Sequence, residues 1–164
     1  MADLGFDHHP RAPARRRRTQ KNGGAEAEAL GRSRGGFGTK IHAAVNGLGL
    51  PVTLVLTPGQ AADVTQAETL LEGSPFEVVI ADKGYDSRAV VDVIETRGGE
   101  AVIPSLSNRA TQREYDRDRY RDRNLAERFW NKIKHYRRVA TRYEKTARNF
   151  LAVVHVASIM LLLR

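Results

Sequence analysis

Phe76–Asp86 reads FEVVIADKGYD. Four apolar residues in succession, Val78–Ala81, run directly into an acid, a lysine and a glycine. A short apolar run bounded by polar and turn residues is a buried strand, the kind found in sheets covered by helices. It delivers Asp82 to the strand's C-terminal edge, where the ligand and metal sites of open α/β sheets gather. Asp86 suits the competing role of capping the helix that begins at Ser87. Asp82 is then left for chemistry.

Strand and helix signals alternate on both sides of this stretch. Upstream, Thr39–Gly59 reads as a hairpin, with an alternating strand at Lys40–Val45, a turn at Asn46–Gly49 and a strand at Val52–Leu56. A helix capped by Asp63 follows, with Val64, Ala67, Leu70 and Leu71 at helical spacing and Gly73 as its stop. Downstream come a helix over Ser87–Arg97, closed by glycines, and a strand at Glu100–Ser105, halted by Pro104. The run SNRATQREYDRDRYRDR, residues 107–123, lacks an apolar face and reads as a loop or ligand-bound strip.

A long helix is expected from Asn124 to Arg142, with Leu125, Phe129, Ile133, Tyr136 and Ala140 as its apolar stripe. The last helix, Ala147–Leu163, is apolar nearly all round and is therefore expected to be buried. The pattern is ββαβαβαα, an α/β domain over residues 31–164 with helices covering a mixed sheet. Residues 1–30, rich in Arg, Ala, His and Gly and without apolar periodicity, read as disordered.

The net charge of +8 over 164 residues points to a polyanionic partner, most often nucleic acid. With no cysteine, disulfides and thiolate metal sites are excluded. The N-terminus shows no apolar h-region, and the C-terminal run FLAVVHVASIMLLL falls short of the roughly 20 apolar residues of a membrane span. The expected location is the cytoplasm, in association with the bacterial nucleoid, with no membrane partner.

A second constellation lies in YRDRNLAERFWNKIK, residues 120–134. Tyr120, Arg123, Glu127 and Lys134 are spaced by 3, 4 and 7 residues. At about 100° per residue they fall within about 60° on one face of a continuous helix, nearly opposite the apolar stripe. Spacing alone leaves a solvated face with intrahelical ion pairs as good a reading as a site. Trp130, the sole tryptophan, suits packing better than base stacking. His42 and His155 have no acidic or histidine neighbours at ligand spacing and read as structural.

Tyr120-x2-Arg123-x3-Glu127-x6-Lys134 resembles the Y-R-E-K signature of insertion-sequence transposases in the DDE, RNase H-like superfamily. Residues 31–71, 79–87, 101–109 and 123–152 resemble successive blocks of the same family, in order, so the likeness covers about Asn22 to Arg164. The resemblance implies an RNase H-like mixed sheet flanked by helices. It implies metal-dependent cleavage and strand transfer of double-stranded DNA, acting on transposon ends and target, within a homo-oligomeric synaptic complex. It implies two Mg²⁺ (or Mn²⁺) ions, held by carboxylates because hard cations favour oxygen ligands. Asp82 and Glu127 become catalytic metal ligands, and Tyr120, Arg123 and Lys134 become DNA contacts.

The family also has a first aspartate, in a D-S-T motif followed by R-A-H-x-H, on the strand before GRSRGG. That motif is absent here, and Asp3 and Asp7 are the only carboxylates before Glu26. The first strand is accordingly expected to be missing or disrupted. A frame slip accounts for this. A DNA sequence encoding D-S-T-I-T-R-A-H-Q-H-A-A-G-A, read two bases later, can give Phe6–Arg18, FDHHPRAPARRRR, residue for residue. The codon of the lost aspartate would straddle Gly5 and Phe6. The chain is thus expected to be truncated or inactive alone, as a decayed gene or the downstream frame of a slippage element. The alternative is a non-catalytic DNA-binding fragment that competes with intact transposase.

Overall fold

The computed structural model describes residues 2–10 and 24–163. In chain order the elements are β1 (Ala2–Pro10), α1 (Gly24–Ala27), β2 (Gly31–Ser33), β3 (Gly36–Val45), β4 (Pro51–Pro58) and α2 (Ala67–Leu71). They continue with β5 (Val78–Ala81), α3 (Arg88–Thr96), β6 (Glu100–Val102), α4 (Arg117–Tyr120), α5 (Asn124–Ile133), α6 (Arg137–Ala140) and α7 (Ala147–Leu162). The strand order is β2-β3-β1-β5-β6, with β4 on β3. β1, β5 and β6 run parallel, whereas β2 and β3 are antiparallel. This is the mixed α/β architecture expected from the sequence.

The first strand departs from expectation. The disorder assigned to residues 1–30 and the missing first strand give way to β1 over Ala2–Pro10 and a helical turn, α1; residues 11–23 lie outside the described ones. Strand pairing is carried by backbone N–H and C=O groups, which every non-proline residue supplies. A segment without side-chain alternation can therefore still fill a strand position.

The chain divides into two compact units. One comprises Met1–Gly5, Ala43–Thr53 and Ala62–Phe129. Its core holds Leu70, Leu71, Val79, Ile80, Val91, Ile94, Val102 and Ile103. The i, i+1, i+4 spacing of Val90, Val91 and Ile94 turns one face of α3 inward. Arg97 ends this helix, stacks on Phe76 at 4.4 Å and donates to the Leu71 and Ser74 carbonyls. One carbonyl at the C-terminal end of α2, that of Leu71, is thereby satisfied. The hairpin turn is the one read from sequence: Asn46 Oδ1 accepts from the Leu48 and Leu50 amides, and Gly49 supplies a φ of 73°.

The other unit comprises Phe6–His42, Leu54–Ala61 and Trp130–Arg164. At its centre is Arg142, fully buried. Its guanidinium donates to the Glu28 and Ala29 carbonyls and to Thr39 Oγ1 and lies 5.2 Å from the Phe150 ring. Glu28 Oε2 accepts the Ala147 amide at 2.7 Å and fixes the start of α7. His42, also fully buried, meets Thr57 Oγ1 at 2.7 Å.

Three helical expectations change. The helix expected over Asn124–Arg142 ends at Ile133 and resumes as α6, with a turn at Lys134–His135. The charged run 107–123 contains α4 and a 3-10 turn, Arg121–Arg123. α7 is only half covered: Phe150, Val154, Ala157 and Ser158 are buried, whereas Val156, Ile159, Met160, Leu162 and Leu163 are exposed. Uniform hydrophobicity hid which face packs. No helix among the described residues is long and apolar enough to cross a membrane.

Two predictions follow from the second unit. Burial, helped by the Lys40 charge, lowers the His42 pKa from 6.5 to about 4. The fold keeps the imidazole neutral, so this contribution is complete above about pH 6.5 and is lost as pH falls towards 4. Denaturant melts across that window should show stability falling with pH, and His42→Asn should flatten the dependence. Arg142→Leu removes several charged hydrogen bonds and should cost about 3 kcal/mol in the same measurement.

Candidate active site

Asp82 stands one residue beyond β5, and its Oδ1 accepts the Gly84 amide at 2.8 Å. Its carbonyl accepts the Tyr85 N–H at 3.0 Å, so Asp82 caps the 3-10 turn Lys83–Tyr85. Gly84 is needed for close approach. A Cβ there would lie 2.9 Å from Asp82 Oδ1 and 3.5 Å from Asp63 Oδ2. Two carboxylates thus converge on one glycine. Asp63 follows Ala62, the N-cap of a 3-10 turn, and is not itself the cap expected from sequence.

Neighbouring strands place two further segments at this edge. Ala2, Asp3 and Leu4 of β1 are level with Val79, Ile80 and Ala81, so Gly5 and Asp82 each follow the last pair of the two strands. On the other side Val79 and Ile80 pair with Ala101 and Val102. Continuing that register brings Pro104 level with Asp82, and the loop from Ser105 leaves the sheet on the same edge.

That loop is tied down by Asp86, whose side chain is 1% exposed. Asp86 Oδ2 accepts from the Leu106 amide at 2.8 Å and from Arg109 Nε at 3.0 Å, and Oδ1 accepts from Arg113 at 3.2 Å. Burial pushes the carboxyl pKa up, but the Leu106 amide and the two guanidinium groups outweigh it and hold Asp86 below the ordinary carboxylate range. The helix-capping role expected of Asp86 is therefore replaced. Ser87 occupies the N-cap position of α3 without a side-chain cap bond, and Asp86 anchors a loop more than twenty residues away. A sequence signal existed in the arginines of SNRATQR, but nothing local pairs them with an acid.

α4 and the 3-10 turn Arg121–Arg123 pack against β5. Tyr120 meets Tyr115 edge-on at 5.3 Å, and the Arg123 guanidinium lies 5.7 Å from the Tyr120 ring centroid. Arg123 donates to Glu127 Oε1 at 2.5 Å. Tyr120, Arg123 and Glu127 thus form a contiguous row in the first unit, although it spans α4, a 3-10 turn and α5 in place of one continuous helix. Lys134 follows the end of α5 in the second unit, its amide bonded to the Trp130 carbonyl. Trp130 is 6% exposed, as its packing role requires, whereas His155 is exposed on α7. The donor chemistry of Asp82 and Glu127 fits a hard divalent cation. Among the described residues, however, no three Asp, Glu or His side chains form a metal-holding group.

Asp82 thus stands at the C-terminal edge of β5, and the segments that carry Tyr120 and Arg123 pack against the same strand. The chain belongs to the Transposase DDE domain family, which it matches over residues 11–162. It is 39% identical over 128 residues to a transposase assigned to insertion sequence element IS6501 of Brucella ovis, covering 77% of this chain and 98% of the relative. It is 32% identical over 122 residues to one assigned to element IS402 of Burkholderia cepacia, covering 67% of this chain and about half, 56%, of that protein. A structural comparison with a piggyBac transposase synaptic complex bound to hairpin DNA gives a TM-score of 0.42 at 11% identity, over 66% of this chain and 23% of that one.

Asp86 supplies the prediction here. Asp86→Ala leaves two guanidinium groups without their buried acid and should cost about 3–5 kcal/mol in a denaturant melt. Because its folded pKa is depressed, the wild-type contribution is present above the ordinary value of 3.8 and is lost as pH falls below it. Asp86→Asn should therefore be less stable at neutral pH and show a weaker acid dependence.

Proposed function

We propose that this chain is a DNA transposition domain whose site is built on Asp82 and Glu127, with Tyr120, Arg123 and Lys134 contacting DNA. The observation that carries the reading is the edge of β5. Asp82 follows β5 directly, the segments of Tyr120 and Arg123 pack against that strand, and Arg123 donates to Glu127, which supports the reading. Asp82 and Glu127 would hold divalent cation, Mg²⁺ or Mn²⁺, two ions in a complete site. The chemistry supplied on binding is activation of the attacking water or 3′-hydroxyl and stabilisation of the leaving oxygen.

The chain's own residues do the rest. The Gly84 amide fixes one oxygen of Asp82. Arg123 holds Glu127 in place and can pass to a DNA phosphate when a cation takes over the carboxylate. Tyr120 flanks the same arginine. Exposed arginines of the charged segment, Arg117, Arg121 and Arg128, would add contacts to the DNA backbone, whereas Arg142 is buried and takes no part. Action on transposon ends would take place in a homo-oligomeric synaptic complex.

On this reading the site would lack its first acid. The register of β1 on β5 ends at Leu4 opposite Ala81, so Gly5 is the next residue of β1 as Asp82 is the next after β5, and the frame-slip reading puts the lost aspartate codon across Gly5 and Phe6. A second reading draws on the same gap. With two acids, the chain would bind DNA without cutting it and compete with intact transposase.

Restoration separates the two. Gly5→Asp should bring Mn²⁺-dependent cleavage of DNA carrying the element's own ends, and adding Asp82→Asn or Glu127→Gln should remove at least about 100-fold of that rate. Wild-type chain should show little or none. Cleavage by the wild type with Mg²⁺, or activity indifferent to both acids, would contradict the assignment. The gene offers a parallel check, since the frame reading requires an overlapping D-S-T frame across the codons for residues 5–18.

A further inference from the structure

Three charged groups meet at the loop following β6. Asp86 is buried, carries one negative charge and is shared by two guanidinium groups, Arg109 and Arg113, so the cluster retains a net positive charge. Arg113 donates to Asp86 Oδ1 and to the Ile103 carbonyl. Arg109 gives Nε to Asp86 Oδ2 and one Nη2 hydrogen bond to the Asp86 carbonyl at 2.9 Å. Its remaining nitrogen, Nη1, makes no bond in the cluster, and the side chain is 45% exposed.

The backbone beneath Arg109 is held as firmly as the side chain. Ser105 Oγ accepts the Arg113 amide, Gln112 Nε2 donates to the Leu106 and Arg109 carbonyls, and the Arg109 amide donates to the Leu106 carbonyl. The other arginines of the strip differ. Arg119 is spent on two carboxylates, Glu100 and Asp116, and Arg121 pairs with Asp118 where both are more than four-fifths exposed. Such exposed pairs contribute little and move freely.

We infer that Arg109 is a DNA-phosphate contact of the site, its outer Nη1 donating to a backbone phosphate beside the bond acted on. Asp86 and Arg113 are its positioning residues. A guanidinium already locked along one edge loses little side-chain freedom when the other edge meets a phosphate. Arg109 is bonded to Asp86, four residues after Asp82, so the contact would fall close in the chain to the Asp82 edge. The inference rests on the transposition reading but needs no cleavage for its test.

Binding of the full chain to a short duplex is measured by anisotropy between about 50 and 200 mM salt. Arg109→Gln should weaken binding about 3–10-fold at low salt and lower the log–log salt slope by about 0.9, the share of one phosphate. Arg109→Lys should recover the slope but not the full affinity. Arg88→Gln, at an exposed arginine paired with Asp92 on α3, should change neither. If Arg109→Gln does not fold, the wild type still decides: duplex DNA should protect Arg109 from phenylglyoxal several-fold while Arg88 stays reactive. An unchanged slope in folded Arg109→Gln, or equal Arg109 modification with and without DNA, would overturn the assignment. A wild-type chain that binds no duplex at all would overturn the transposition reading itself.

Discussion

The parallel pairing of β1 with β5 is the constraint on which the Asp82 edge depends. β5 contributes only four residues, Val78–Ala81, and three of them are buried. A strand so short keeps its position through its neighbours, β1 on one side and β6 on the other. That pairing aims the chain after Ala81 at the C-terminal edge, where Asp82 can cap the next turn and Asp86 can reach the loop from Ser105. Without β1, the unpaired N–H and C=O groups of β5 would face water or another chain. The strand is needed for its backbone, and its side chains are secondary to that need.

This separation of backbone from side chain reconciles a strand position with a sequence unlike a strand. Nothing in DHHP alternates, yet Ala2–Pro10 pairs as a strand. Register then turns a sequence oddity into a chemical one, because a glycine follows Leu4, the partner of the residue before Asp82. A sheet position depends on main-chain hydrogen bonds, which tolerate side-chain changes that a metal site would not.

The sequence showed most of the sheet and where Asp82 stands on it. β3, β4, β5 and the Asn46 turn follow from alternation, a short apolar run and turn chemistry, all local signals. Asp82 was legible because it ends an apolar run. The Tyr120–Arg123–Glu127 spacing was legible, but the 3-10 turn inside it was not, because 3.6- and 3-residue periods place these few residues similarly. Two long-range contacts escaped notice. Asp86 meets Arg109 and Arg113 more than twenty residues away, and Arg142 meets Glu28 and Thr39 more than a hundred away. Pairings of that separation leave no periodicity to read. The half-covered α7 was opaque for the opposite reason: a helix apolar on every side does not say which side packs.

The central claim is that Asp82 and Glu127 share one divalent-cation site. Iron-directed cleavage tests it on the chain itself: Fe²⁺ replaces Mg²⁺, ascorbate and peroxide generate hydroxyl radicals at the metal, and the backbone breaks are mapped by mass spectrometry. The account predicts breaks clustered around residues 82 and 127, suppressed together by excess Mg²⁺ and by Asp82→Asn. Breaks at only one of the two, or a pattern unmoved by Asp82→Asn, would contradict it.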